Sequence, residues 1–363
     1  MSDAMVLVAA LRNPASVAAL DAEGWTALLT IARAERLIGT LAYRLEGQVL
    51  PGAVAAILAD ERTNAEYQKR SALWEADCAQ RALAEYPGKV VLMKGTAYAA
   101  AGLLASEGRH IGDLDIMVAR EDLPQVEAML LTAGWEWVKE DAYDDTYYRD
   151  HMHELPPLIH KERDRMVDVH HTILPLTARP RPDAKGMLAA SKPLPFRGGV
   201  GVGLFNVARD LHSPTPNPSP EGEGLQIFAP IDMVIHSAAH LFADGELDGG
   251  LRNLWDIHCL LTEFADEAFW PALKSRAEHH QLWPAVHRAA RLVNQLYGTG
   301  IPGDWQSSNW LDRYHVQRLT ARDNWGRGTR KLTRLIFYIR SHWLRMPPMM
   351  LARHLWVKWR KAK

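Results

Sequence analysis

Residues 110–118, HIGDLDIMV, set two aspartates one residue apart in an otherwise apolar run. Leu114, Ile116 and Val118 recur with the two-residue period of a strand, so Asp113 and Asp115 project from the same face. Like charges side by side on a strand repel. Something must offset that repulsion. A divalent cation does so, and Mg2+ is the simplest choice because it favours carboxylate and phosphate oxygens. The alternative is local: Asp113 ends a turn after Gly112, and Asp115 pairs with Arg109.

Upstream, KVVLMKG (89–95) predicts a short strand from Lys89 to Met93, ending at Lys94–Gly95. A helix through TAYAAAGLL (96–104) follows. Downstream, REDLPQVEAMLLTAGW (120–135) predicts a helix stopped by Gly134, and Trp135 to Lys139 begins another strand. MHELPPLIHK (152–161) and RMVDVHHTIL (165–174) predict two more strands. Only a few residues join them, so they run antiparallel. The alternation marks an α/β unit. Asp168 lies between Val167 and Val169 and shares its face with His170. If its strand lies beside that of Asp113, three carboxylates converge, as two-metal phosphoryl or nucleotidyl transfer requires.

Around this unit the texture changes. Residues 1–88 are rich in Ala, Leu and Glu with apolar spacings of three and four, predicting an N-terminal helical region in which Pro51 starts one helix. The α/β unit spans 89–196. Residues 197–228 contain HSPTPNPSPEGEG and predict a loop or linker. Helical periodicity returns in a C-terminal helical domain over 229–325. Residues 326–363, partly helical, hold eleven Lys or Arg, no Asp or Glu, and Trp343, Trp356 and Trp359. That basic tail suits a plain solvated terminus, an anionic membrane surface or nucleic acid. RMPPMM (345–350) interrupts it.

The bulk numbers frame these readings. The 363 residues are 47% hydrophobic and 23% charged, with a formal net charge of -1. The chain as a whole therefore carries no nucleic-acid signal. Cys78 and Cys259 are the only cysteines, which argues against a disulfide scaffold. No basic leader and no long uncharged apolar run appear, so the expectation is a cytoplasmic protein without a transmembrane helix.

The stretch from Val90 to Leu174, about a quarter of the chain, resembles the nucleotidyltransferase superfamily with a DNA-polymerase-beta-like palm. More closely, it resembles a group of uncharacterised bacterial nucleotidyltransferase-like proteins. The matching residues are LMKGTAYAAAGL (92–103), Arg109, GDLDIMV (112–118) and VDVHHTI (167–173). The flanking HSAAHLF (236–242) and LWDIHCLL (254–261) are also similar, less specifically. The resemblance implies an α/β (α+β) fold with a mixed-sheet palm and helical flanks. It implies transfer of a nucleoside monophosphate from an NTP to a hydroxyl of a small molecule, sugar or protein, with release of pyrophosphate.

In that reading Asp113, Asp115 and Asp168 hold Mg2+ or Mn2+. Gly95 and Thr96 occupy a phosphate-binding turn, Lys94 and Arg109 neutralise phosphates, and His170 reaches phosphate or substrate. The superfamily usually has Gly-Ser or Gly-Gly at the turn, whereas this chain has Lys94-Gly95-Thr96. That departure leaves nucleotide choice open. It also leaves open a nucleotide-binding sensor without turnover, and a nucleic-acid-binding protein acting through the basic C-terminus.

Other polar clusters carry two readings each. His151 and His153 share a predicted strand face with Glu154 following, and line an acceptor pocket or meet solvent; their spacing does not specify zinc. His236 and His240 share a helix side, with Asp256 and His258 on the next helix. They form a metal cluster, for which no His-Glu-x-x-His pattern speaks, or, as is expected here, the helices pack beneath the α/β unit with Asp256 orienting a histidine. Tyr143, Tyr147 and Tyr148 are expected in a loop before a strand, as a lid or as surface packing.

Overall fold

The computed structural model describes residues 4–139, 141–194, 224–244, 247–307 and 309–345, and positions 349, 356 and 360, the side chains of 142–144 and 244 excepted. The chain opens with four helices, α1 (Met5–Arg12), α2 (Ala22–Ala34), α3 (Ile38–Arg44) and α4 (Gly52–Ala82). Asp21 caps α2, its carboxylate accepting from the Gly24 N–H at 2.8 Å. Pro51 immediately precedes α4, as the sequence predicts. The inward stripe of α4 (Val54, Leu58, Ala65, Ala72, Ala76, Ala79) follows helical periodicity.

The sheet comes next. β1 (Val91–Leu92) leads directly into α5 (Lys94–Ala101), and β2 (Leu114–Met117) carries Asp115. After α6 (Leu123–Thr132) come β3 (Trp135–Trp137), α7 (Ala142–His151), β4 (Leu158–His160) and β5 (Met166–His170). Then follow α8 (Ala184–Ala190), β6 (Lys192–Pro193) and β7 (Gln226–Ile227). The spatial order is β3-β4-β5-β2-β1-β7-β6. β2 runs parallel to β5 and antiparallel to β1, while β4 and β5 form the expected antiparallel pair. β2 is buried along its whole length, as a central strand must be. Pro193 sits in the edge strand β6, where a missing N–H costs little.

Helices α9 (Pro230–Ala239), α10 (Gly250–Phe264), α11 (Phe269–His279), α12 (Trp283–Tyr297), α13 (Asp312–Leu319) and α14 (Lys331–Arg345) complete the described chain. Residues of the N-terminal helices, the sheet and the C-terminal helices contribute to one contiguous apolar core.

Three local expectations change. The predicted linker, 197–228, lies mostly outside the described residues, but its end forms β7, which pairs in parallel with β1. The tyrosine-bearing segment is helix α7 rather than loop. Arg149 holds it in place, reaching Asp145 one turn back and Glu127 on α6, both at 2.8 Å. The strand expected over Met152–Lys161 shrinks to β4, because His151 belongs to that helix and Glu154 only bridges to His170.

Candidate active site

β2 and β5 are adjacent and parallel, and Asp115 is in register with Asp168. Side chains paired this way point to the same side of a sheet. Asp113 lies just ahead of β2, exposed, and lines the same cleft. The cleft is about 640 Å³, a volume typical of small-molecule sites, and it opens between the sheet, α5 and helices α9 and α10. Asp115 is buried. Its Oδ1 accepts from Lys94 Nζ at 2.6 Å and stands 3.0 Å from His170 Nε2.

The turn between β1 and α5 positions the cations. Lys94 takes the left-handed φ of +48°, a conformation that strains any residue with a Cβ. The chain accepts that strain and places an ammonium where a glycine would sit comfortably. Gly95 leaves room for the Arg109 guanidinium: a Cβ there would displace it. Arg109 lines the cleft, held by Asp256 Oδ2 at 3.1 Å from its Nε. Thr96 is not in the cleft lining. It is buried within α5, and its hydroxyl has no hydrogen-bond partner among the described residues.

The far wall comes from α9 and α10. His236, His240, Arg252, Asn253 and Asp256 all line the cleft, so these helices face the sheet residues rather than lying beneath them. Asp256 does not orient a histidine. It accepts from Arg109 and from Arg252 Nε at 3.0 Å, while His240 Nδ1 meets Asn253 Nδ2 at 3.1 Å. His258 leaves the group and bonds Thr299 Oγ1 at 2.7 Å. Burial, then the Lys94 charge, keeps His236 neutral and lowers His240 to about 3. The sequence offered a sign of Arg252: it stands four residues before Asp256, the spacing of a helical ion pair. Arg36, also in the lining, carries no such local signal.

A second cluster touches the first. Among the described residues, His153, Glu154 and His170 form a group that could hold a divalent metal, with ligand atoms all within 4.8 Å of one another. The three aspartates line one cleft without closing to that distance. His170 Nδ1 lies 3.4 Å from Glu154 Oε2, and His153 Nε2 lies 3.7 Å from the same oxygen. When His170 donates from Nε2 to Asp115, its neutral ring presents the Nδ1 lone pair to the Glu154 carboxylate. A proton or a cation between them relieves the contact. The helical His151 takes no part, although the sequence grouped it with His153.

The carboxylates titrate apart. Burial alone would raise Asp115, but the Lys94 charge and the His170 and Lys94 hydrogen bonds outweigh it and hold the carboxyl well below its usual range. Asp168 moves the other way, to about 7, through burial first and the neighbouring Asp115 charge second. Folded, metal-free protein thus retains a proton on Asp168 up to about pH 7, whereas the unfolded chain releases it near pH ~4. Between those values the folded state binds more protons, so the contribution of Asp168 to stability falls as pH rises through that window. Melting in EDTA from pH 5 to 8 is expected to show this loss. Asp168→Asn is expected to remove it and to gain on the order of 2 kcal/mol at pH 8. A variant with the wild-type pH slope would show that Asp168 is not the uncompensated group.

A family model described as "Uncharacterised nucleotidyltransferase" matches residues 21–298, about three quarters of the chain. A search of the curated proteins finds no match. No helix among the described residues is long and apolar enough to cross a membrane.

Proposed function

Since the chain belongs to this family of uncharacterised nucleotidyltransferases, we propose that its cleft moves a nucleoside monophosphate from an NTP to a hydroxyl acceptor and releases pyrophosphate. The observation that carries the proposal is the in-register pair of Asp115 and Asp168, with Asp113 on the same cleft, Lys94 paired to Asp115 and Arg109 in the lining. Asp168 supports a cation there: it is half-buried, raised first by burial and then by the Asp115 charge, and forms no ion pair with any described residue.

Asp113, Asp115 and Asp168 would hold Mg2+ or Mn2+. Asp115 would offer Oδ2, since Lys94 and His170 both engage Oδ1. When bound, such ions neutralise triphosphate charge and lower the pKa of an acceptor hydroxyl. The protein's own contributions are orientation and charge. Burial works against the Lys94 ammonium, but Asp115 more than offsets this and keeps it charged. Lys94 lies at the N-terminal end of α5, a position that favours an anion. Arg109, fixed by Asp256, presents a second cation. His170 keeps Asp115 from rotating. The sheet and the α9–α10 wall flank the cleft on two sides.

The test uses full-length protein with each NTP, Mg2+ or Mn2+, and cell extract as the acceptor source, and measures pyrophosphate. Metal-dependent release with one nucleotide preferred is the expected result. Tight NTP binding without release on any extract would favour the sensor reading. Absence of metal-dependent NTP binding would sink both.

A further inference from the structure

Helix α14 is anchored on one side and exposed along most of the other, where the Arg179 guanidinium lies 5.3 Å over the Trp343 ring. Phe337 is buried with its ring 5.0 Å from that of His315, Ser341 is fully buried, and Arg340 donates to the Phe242 carbonyl at 3.0 Å. The opposite face carries Leu332 (71% exposed), Leu335 (52%), Ile336 (55%), Ile339 (55%) and Trp343 (47%). At 100° per residue these five fall within an arc of about 100°, a continuous apolar stripe along a helix about 22 Å long. Isolated exposed leucines need no explanation, but a contiguous stripe does.

The charge of this segment of the sequence selects what covers the stripe. From Gly326 to Lys363 the chain has eleven Lys or Arg and no acidic residue. Lys331 stands on α14 itself, exposed beside Leu332. Cations bordering large aliphatic side chains, with a tryptophan near one end, match a membrane interface: the apolar groups enter the acyl boundary while Lys and Arg stay among anionic headgroups. Nucleic acid would use the cations and stack on the aromatics, but it gives four aliphatic side chains nothing to bury against. We propose that α14 docks this protein on an anionic lipid surface, lying in the interface plane with its Leu332–Trp343 stripe inward.

Co-sedimentation of the full-length protein with vesicles tests this. One set is phosphatidylcholine alone, the other one-third phosphatidylglycerol. Binding to the anionic set is expected to be about tenfold tighter or more, and to weaken with salt. Leu335→Gln with Ile339→Gln keeps every charge and a good helix former at both sites. It is expected to lower vesicle binding about tenfold or more, with circular dichroism and Tm unchanged.

Four results overturn the proposal. The first is no binding of wild type to anionic vesicles, and the second is undiminished binding by the double variant. The third is a wild-type dimer that the double variant loses, which assigns the stripe to a second copy. The fourth is salt-sensitive binding to single-stranded RNA that the double variant retains, together with failure on vesicles.

Discussion

Asp115→Asn is expected to lower metal-dependent pyrophosphate release by about 10³-fold or more while leaving the fold intact. Asparagine keeps the volume of the side chain and an oxygen that can still accept from Lys94 and His170, so the neighbours on β5 and α5 retain their partner. What disappears is the negative charge at the best-buried of the three carboxylates. The effect therefore belongs on the chemical step. Circular dichroism should resemble wild type and melting should fall only by the loss of the Lys94 charge pair, while release at saturating NTP collapses. Wild-type release by a well-folded Asp115→Asn protein would place the chemistry elsewhere in the molecule.

Asp256→Ala should act on stability instead, at a cost of about 3–5 kcal/mol in urea denaturation. Asp256 is buried and accepts from two arginines, Arg109 and Arg252. Arg252 is itself buried, and ties two further places together: Nη1 donates to Thr40 Oγ1 on α3 at 2.6 Å and Nη2 to the Ala105 carbonyl at 3.0 Å. Removing the carboxylate strands two buried guanidinium groups, Arg109 and Arg252, without their shared anion. Asp256→Asn keeps hydrogen bonds but not charge and should fall between alanine and wild type. An alanine variant as stable as wild type would mean that water or a shifted carboxylate replaces Asp256 at no cost.

The comparison of Asp113–Asp168 with Asp256 explains what could be read in advance. The aspartates of β2 and β5 stand out because each interrupts a short apolar run, and a strand's two-residue period assigns them a face. Lys94 and Arg109 stand out by their place in the LMKG…R…GDLD order. Asp256 was misread because periodicity puts it on a helix face but does not say what that face meets. Two arginines, 147 and four residues away, outcompete the histidines for it. His153 and Glu154 were legible only as polar neighbours. Their approach to His170 follows from an isolated bridge between Glu154 and His170, which no local pattern encodes. β7 is two residues at the end of a Pro- and Gly-rich stretch, too short for a pattern, and exists because β1 offers it an edge.

The amino-acid sequence by itself determined the alternation of strand and helix from β1 through β3 and the strand β5, the faces of the two acidic strands, and the basic bias of the C-terminal segment, because these depend on spacing along the chain. Tertiary structure alone decided that β2 and β5 lie side by side with Asp115 against Asp168, that α9 and α10 flank the cleft, and that most of one face of α14 stays exposed. Those outcomes depend on which surfaces bury against which others, and burial is a property of the whole packed chain.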